Sequence, residues 1–268
     1  MNPLRFFYVP LFMLAALALL AISQDAARYS WAPLPPLLGL AIVYALSPQI
    51  KWWYWRRYPP DLDTRFAPLL NYSAFYQQLD NDGKREFRRR AFLHKASTNF
   101  RGQALPKVPE DVQLFIAAAA ATINFGVDEP RYDDFSTVVC YPHPFPSPQE
   151  QKLHLSELHA GDGVLIFSMP DLVQSAVESN NFLHLALYEY ARAFQLSYPE
   201  IELPALERDQ IQTVSRFKEA ATHKWHGLAN LDRAALTTVL YFTHSKSFQQ
   251  QFPDHFQTIV QQLGQGGV

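Results

Sequence analysis

Charged positions are nearly absent at the start of the chain: between Leu4 and Ile50 only Arg5, Asp25 and Arg28 carry charge. Leu4 to Ile22 (LRFFYVPLFMLAALALLAI) is an almost unbroken apolar run, and Trp31 to Ile50 (WAPLPPLLGLAIVYALSPQI) is a second, separated from the first by the polar stretch Ser23 to Ser30. A bilayer core takes roughly 20 apolar residues as a helix. The pattern therefore predicts a two-helix transmembrane hairpin. Pro33, Pro35 and Pro36 fall at the start of the second run, where a missing backbone donor costs least, and Pro48 marks its end. The segment Lys51-Trp52-Trp53-Tyr54-Trp55-Arg56-Arg57-Tyr58 then combines aromatic rings with basic residues, the composition of a cytoplasmic interface anchor. This reading puts residues 1–58 in a transmembrane hairpin with its anchor and residues 59–268 in a cytoplasmic domain at the inner membrane. If the first run is instead a cleaved signal peptide, the second still acts as a stop-transfer helix and the domain stays cytoplasmic.

After the linker Tyr58 to Asp63 the pattern changes. Phe66, Leu69, Leu70, Phe75 and Leu79 recur at helical spacing, Asn81-Asp82-Gly83 reads as a turn, and Phe87, Ala91, Phe92 and His94 resume the helical period. Val108 to Phe125 predicts a buried packing helix, with Glu110 and Asp111 in its first turn and a run of alanines behind them. Phe135 to Tyr141 and Gly163 to Ser168 are β-branched and aromatic, hence strands, and the proline-rich stretch Pro142 to Gly163 between them reads as a long loop. From about Asn180 to Gln262 the chain is helical with interruptions. Helices, a few strands, then helices predict an α+β domain.

The overall balance is near neutral, with a formal net charge of −2, which offers no polycationic surface and argues against direct nucleic-acid binding. The single cysteine, Cys140, excludes an internal disulfide and a thiolate zinc cluster. No GxGxxG, GxxxxGK, GxSxG or EF-hand loop occurs. Among nine histidines, His154 with His159 and His223 with His226 have suggestive spacing, but neither pair makes a convincing metal site and both read as surface histidines. The segment Asn181 to Gln195 (NFLHLALYEYARAFQ) predicts an amphipathic helix: Leu183, Leu187, Tyr190, Ala191 and Phe194 on an apolar face, His184, Tyr188, Arg192 and Gln195 in a polar stripe beside Glu189.

From about Phe66 to Val260 the sequence resembles the MtfA-like (Mlc titration factor A) zinc-dependent peptidase family. The landmarks are IAAAAATINFG (Ile116 to Gly126), CYPHPF (Cys140 to Phe145), GVLIFSMPDL (Gly163 to Leu172), the Asn180-Asn181 entry to the helix and FTHSKSFQQQFP (Phe242 to Pro253), in that order. The resemblance implies a helix-rich zincin-like domain with a small β-sheet. In that family the helix carries HExxH, two histidines gripping zinc and a glutamate as general base, and a later acidic residue completes the ligands. Here the motif falls on Tyr188-Glu189-Tyr190-Ala191-Arg192 and the later acid on Asp232.

Glu189 keeps the general-base position, but Tyr188 and Arg192 stand at the former ligand positions with Asp232. A phenol with an ordinary pKa near 10 is a poor ligand at neutral pH, and a guanidinium presents only donors. The expectation is thus no metal and no cofactor, with Arg192 set between Glu189 and Asp232 in place of zinc; the alternative is an exposed Glu189–Arg192 pair worth well under about 1 kcal/mol. The implied function is a membrane-anchored peptidase homologue that binds a protein or peptide, the edge of the strand Gly163 to Ser168 offering a pairing site. Because the family's named member binds a transcriptional repressor, a transcriptional regulator is one implied partner. Two readings compete: an active zinc peptidase recruiting ligands such as His184, and a membrane scaffold.

Overall fold

The computed structural model describes residues 4–24, 33–60, 62, 65–127, 132–148, 150–215, 225–227 and 231–264. The chain divides into two compact units, Met1–Pro60 and Asp61–Val268.

The first unit is made of helices α1 (Arg5–Gln24), α2 (Leu34–Ala45) and α3 (Ser47–Arg57). Gly39 of α2 lies against Leu11 of α1, where a Cβ would come within 3.0 Å of the leucine side chain. Among the described residues no helix is long and apolar enough to cross a membrane, which overturns the expected transmembrane hairpin. The second apolar run shows the physical reason. Its helix stops at Leu46 (φ −88°, ψ 3°) and restarts at Ser47 with Pro48 in the first turn. The resulting segments of 12 and 11 residues reach about 18 and 16 Å at 1.5 Å per residue, against a hydrocarbon core of about 30 Å.

The second unit is helix-rich α+β. A 3₁₀ turn (Ala67–Tyr72) and helix α4 (Ala74–Gln78) lead to α5 (Asn81–Ser97). The Asn81-Asp82-Gly83 stretch, expected as a turn, is the first turn of α5: Asp80 caps it, its Oδ1 accepting from Gly83 N–H at 2.7 Å. Strand β1 (Asn99–Gly102) precedes α6 (Glu110–Ile123), and β2 (Thr137–Tyr141), β3 (Ser156–His159) and β4 (Val164–Ser168) follow. The sheet order is β1-β2-β4-β3, with β1, β2 and β4 parallel and β3 antiparallel at the edge, Ser156 opposite Phe167. Gly163 makes the corner into β4 at φ +62°, where a Cβ would strike the Asp134 carbonyl oxygen. Two strands were thus unforeseen, one of them, β3, inside the stretch read as loop. The pairing edge expected at Gly163 to Ser168 is not free, because β4 lies between β2 and β3.

Helices α7 (Met169–Val177), α8 (Leu185–Ser197), α9 (Arg208–Val214), α10 (Arg233–Thr243), α11 (Ser245–Gln251) and α12 (Pro253–Leu263) follow. The core forms around α6 and α8, which pack on each other; α8 also meets β3, β4, α7 and α10. Helix α8 is therefore not the half-solvated helix its polar stripe predicts. From Leu185 to Phe194 every residue but Arg192 is buried.

Candidate functional site

Four elements bring the site together. Helix α8 supplies Tyr188, Glu189 and Arg192, β3 supplies Ser156, α10 supplies Asp232 as its N-cap, and residues 225–227 supply His226. Glu189 is fully buried and both of its oxygens are engaged: Oε1 accepts from the Ser156 hydroxyl at 2.7 Å, and Oε2 from an Arg192 Nη1–H at 2.8 Å. Burial pushes the Glu189 carboxyl above the usual carboxylate range, and Arg192 and Ser156 offset this only in part. Burial works against the Arg192 charge too, but the adjoining Glu189 prevails and holds its pKa above the ordinary value.

The pair is not solvent-exposed on both sides, since Glu189 is fully buried and Arg192 has 28% of its side chain exposed. The guanidinium also lies over the Tyr188 ring, 5.7 Å from its centroid. Asp232 contributes through space to the elevated Arg192 pKa, but its Oδ1 accepts from Ala235 N–H at 2.9 Å as the α10 cap. The described contacts hold no direct Arg192–Asp232 bond, so the expected fork between two carboxylates is realised on the Glu189 side alone.

Tyr188 and Arg192, at positions that the resemblance implies as former ligands, do not have the chemistry of zinc ligands. Tyr188 accepts from the Asp232 backbone N–H at 2.8 Å, and burial drives its phenol still further from ionisation, so it offers no anionic oxygen. Arg192 is a fixed cation. Among the described residues no three His, Cys, Asp or Glu side chains converge as a metal site would require. His184 is not recruited: it caps α8 through Nδ1, which accepts from Leu187 N–H at 3.3 Å. It lines a cavity with Leu69, Phe75, Phe115 and Leu187 that includes none of Tyr188, Glu189, Arg192 or Asp232.

Ser156 and His226 were not foreseen in the site. The Ser156 hydroxyl has one proton and gives it to Glu189, so its contact with His226 Nε2, at 2.9 Å, is one in which the ring donates. This polarity is the reverse of a serine nucleophile activated by histidine, where the ring takes the hydroxyl proton. His226 and His154 are both fully buried, which corrects their reading as surface histidines; His223 lies outside the described residues. His154 belongs to a neighbouring cluster. Its Nδ1 meets the Lys152 carbonyl at 2.9 Å and its Nε2 meets Glu157 Oε2 at 2.9 Å, while Ser147 donates to Glu157 Oε1 at 3.2 Å. Facing a carbonyl, Nδ1 is the donor in that contact.

The class these features define is a zincin-like α+β domain whose central helix carries a buried glutamate at the site. The family model for the glucose-regulated metallo-peptidase M90 matches residues 55–194, more than half of the chain. The chain belongs to that family. No curated protein and no solved structure matches it.

Proposed function

We propose that this member of the metallo-peptidase M90 family has given up zinc and hydrolysis and works by binding a protein or peptide segment. The observation that carries the reading is the engagement of Glu189. A general base needs an oxygen that the attacking water can reach, and here Glu189 is fully buried with Ser156 bonded to one oxygen and Arg192 to the other. The positions flanking it hold a phenol kept neutral and a guanidinium, neither of which coordinates a cation.

Arg192 takes over part of the electrostatic task of a metal, neutralising Glu189 in the core. What the fold retains is a shaped site at the sheet edge. Strand β3 is antiparallel and terminal in the sheet, the placement from which an extended segment is recognised through backbone hydrogen bonds.

Incubation of the purified full chain with casein, with added zinc and separately with a chelator, tests the loss of catalysis. The expected result is no cleavage in either condition. Chelator-sensitive cleavage that is lost in Glu189→Gln would sink the proposal.

A further inference from the structure

The two units differ in what they leave to solvent. Among the described residues, the large apolar side chains exposed in the second unit are Tyr72, Leu153, Val177 and Leu196, and all the others belong to the first unit. Helices α2 and α3 bury none of their described residues, and along α1 and the residue before it only Leu4 and Ala15 are buried. An apolar surface of this kind marks a contact with something other than water.

The shape of the surface selects the partner. Phe12, Met13 and Leu14 follow one another and are all exposed, and at about 100° per residue they turn through about 200° of the helix. A second helix or a groove covers one side of α1, whereas acyl chains close around it. No charged residue interrupts α1 after Arg5, and none occurs in α2.

The chemistry changes at α3. Trp52 and Trp53 are exposed, the latter with 69% of its surface, and share the helix with Lys51, Arg56 and Arg57. No Asp or Glu occurs between Asp25 and Asp61 to offset these cations. Indole rings favour the depth of the headgroups, and basic side chains favour headgroups that are anionic. Since no helix among the described residues is long and apolar enough to cross a bilayer, the contact this surface fits is with the near leaflet.

We propose that the first unit is a lipid-surface anchor: it buries the exposed apolar side chains of α1 and α2 among the acyl chains of an anionic phospholipid bilayer and sets α3 at the headgroups. The anchor stands independently of peptide binding by the second unit.

Flotation of the full chain with vesicles of phosphatidylcholine alone, and of phosphatidylcholine with phosphatidylglycerol, tests it. The parent chain should float with both and bind the anionic vesicles about a hundredfold more tightly. Phe12→Asp with Leu17→Asp, both at exposed positions, should weaken binding to either vesicle by about a hundredfold. Lys51→Gln with Arg56→Gln and Arg57→Gln should leave binding to phosphatidylcholine unchanged and erase the preference for the anionic vesicles. A parent chain that does not float, equal affinity for the two vesicles, or flotation undiminished by Phe12→Asp with Leu17→Asp would overturn the proposal. So would a dimer that persists in sedimentation with vesicles present and stays free of them, because a second copy would then cover the apolar surface.

Discussion

Helices α6 and α8 lie side by side in the core, nearly equally buried, and satisfy their polar groups in opposite ways. In α6 the partners are local: Thr122 Oγ1 donates to the Ala118 carbonyl at 2.8 Å, and Gln113 Nε2 to the Val108 carbonyl at 2.8 Å. In α8 they come from distant parts of the chain. Glu189 reaches Ser156, Tyr188 reaches Asp232, and the Tyr190 hydroxyl meets His94 Nε2 at 2.7 Å. Alanines let α6 pack closely at no polar cost. Helix α8 instead buries a carboxylate, an arrangement that packing alone does not call for and that a site does.

That contrast breaks most visibly at Arg192. Arg192→Ala leaves a buried carboxylate without its cation, and the expected loss is about 3 kcal/mol, at the low end for a broken buried pair because Arg192 is partly solvated. Thermal and urea unfolding measure it; an unchanged melting temperature would show that Arg192 does not hold the site together. On α6 the expected sensitivity is steric instead. Ala120→Leu, at a position with 1% exposure, should cost about 2 kcal/mol by overpacking, with the same loss at every pH. Ser156→Ala removes one of the two donors to Glu189 and should cost about 1 to 2 kcal/mol; a neutral result would mean that the hydroxyl does not support the carboxylate.

The pH dependence is the gentlest discriminator. Burial lowers the pKa of His94, the partner of Tyr190, and of His184, the α8 cap, each to about 4 from an ordinary 6.5. The unfolded chain then binds more protons than the native one between these values, so this stability is fully present above about pH 6.5 and is lost as pH falls through about 4. Glu189 acts with the opposite sign. Its raised pKa favours the native state below about 4.5, the unfolded value, and that contribution is lost as pH rises through the folded pKa. Unfolding curves between pH 4 and 7 for His94→Gln should show a shallower rise with pH than the parent chain, and those for Glu189→Gln a steeper one. Slopes equal to the parent's would mean that the buried groups around α8 do not titrate on folding.

Much of the second unit was legible because its elements follow local rules. The β-branched runs became β2 and β4, the acidic first turn and alanines became α6, and the segment around Glu189 became α8. Strand β3 was hidden because Leu155-Ser156-Glu157-Leu158 is only weakly β-like and carries polar residues that are buried for reasons of the site. The break at Leu46 has its sign in Ser47-Pro48, a pair that suits the start of a new helix as well as the end of the old one. In the site, Tyr188, Glu189, Arg192 and Asp232 were singled out through resemblance, and the structure joins Glu189 to Arg192 and Tyr188 to Asp232. Ser156 and His226 were not, since they meet across 70 residues and no local pattern encodes such a pair.

The central claim is that the position of the zinc is held by protein alone. Elemental analysis of the full chain, purified without chelator, tests it directly, alongside the chain carrying Tyr188→His together with Arg192→His. The account predicts substoichiometric zinc in the parent chain and about one zinc per chain when both imidazoles are restored one helical turn apart. Stoichiometric zinc in the parent chain, lost on Asp232→Ala or His184→Ala, would contradict it.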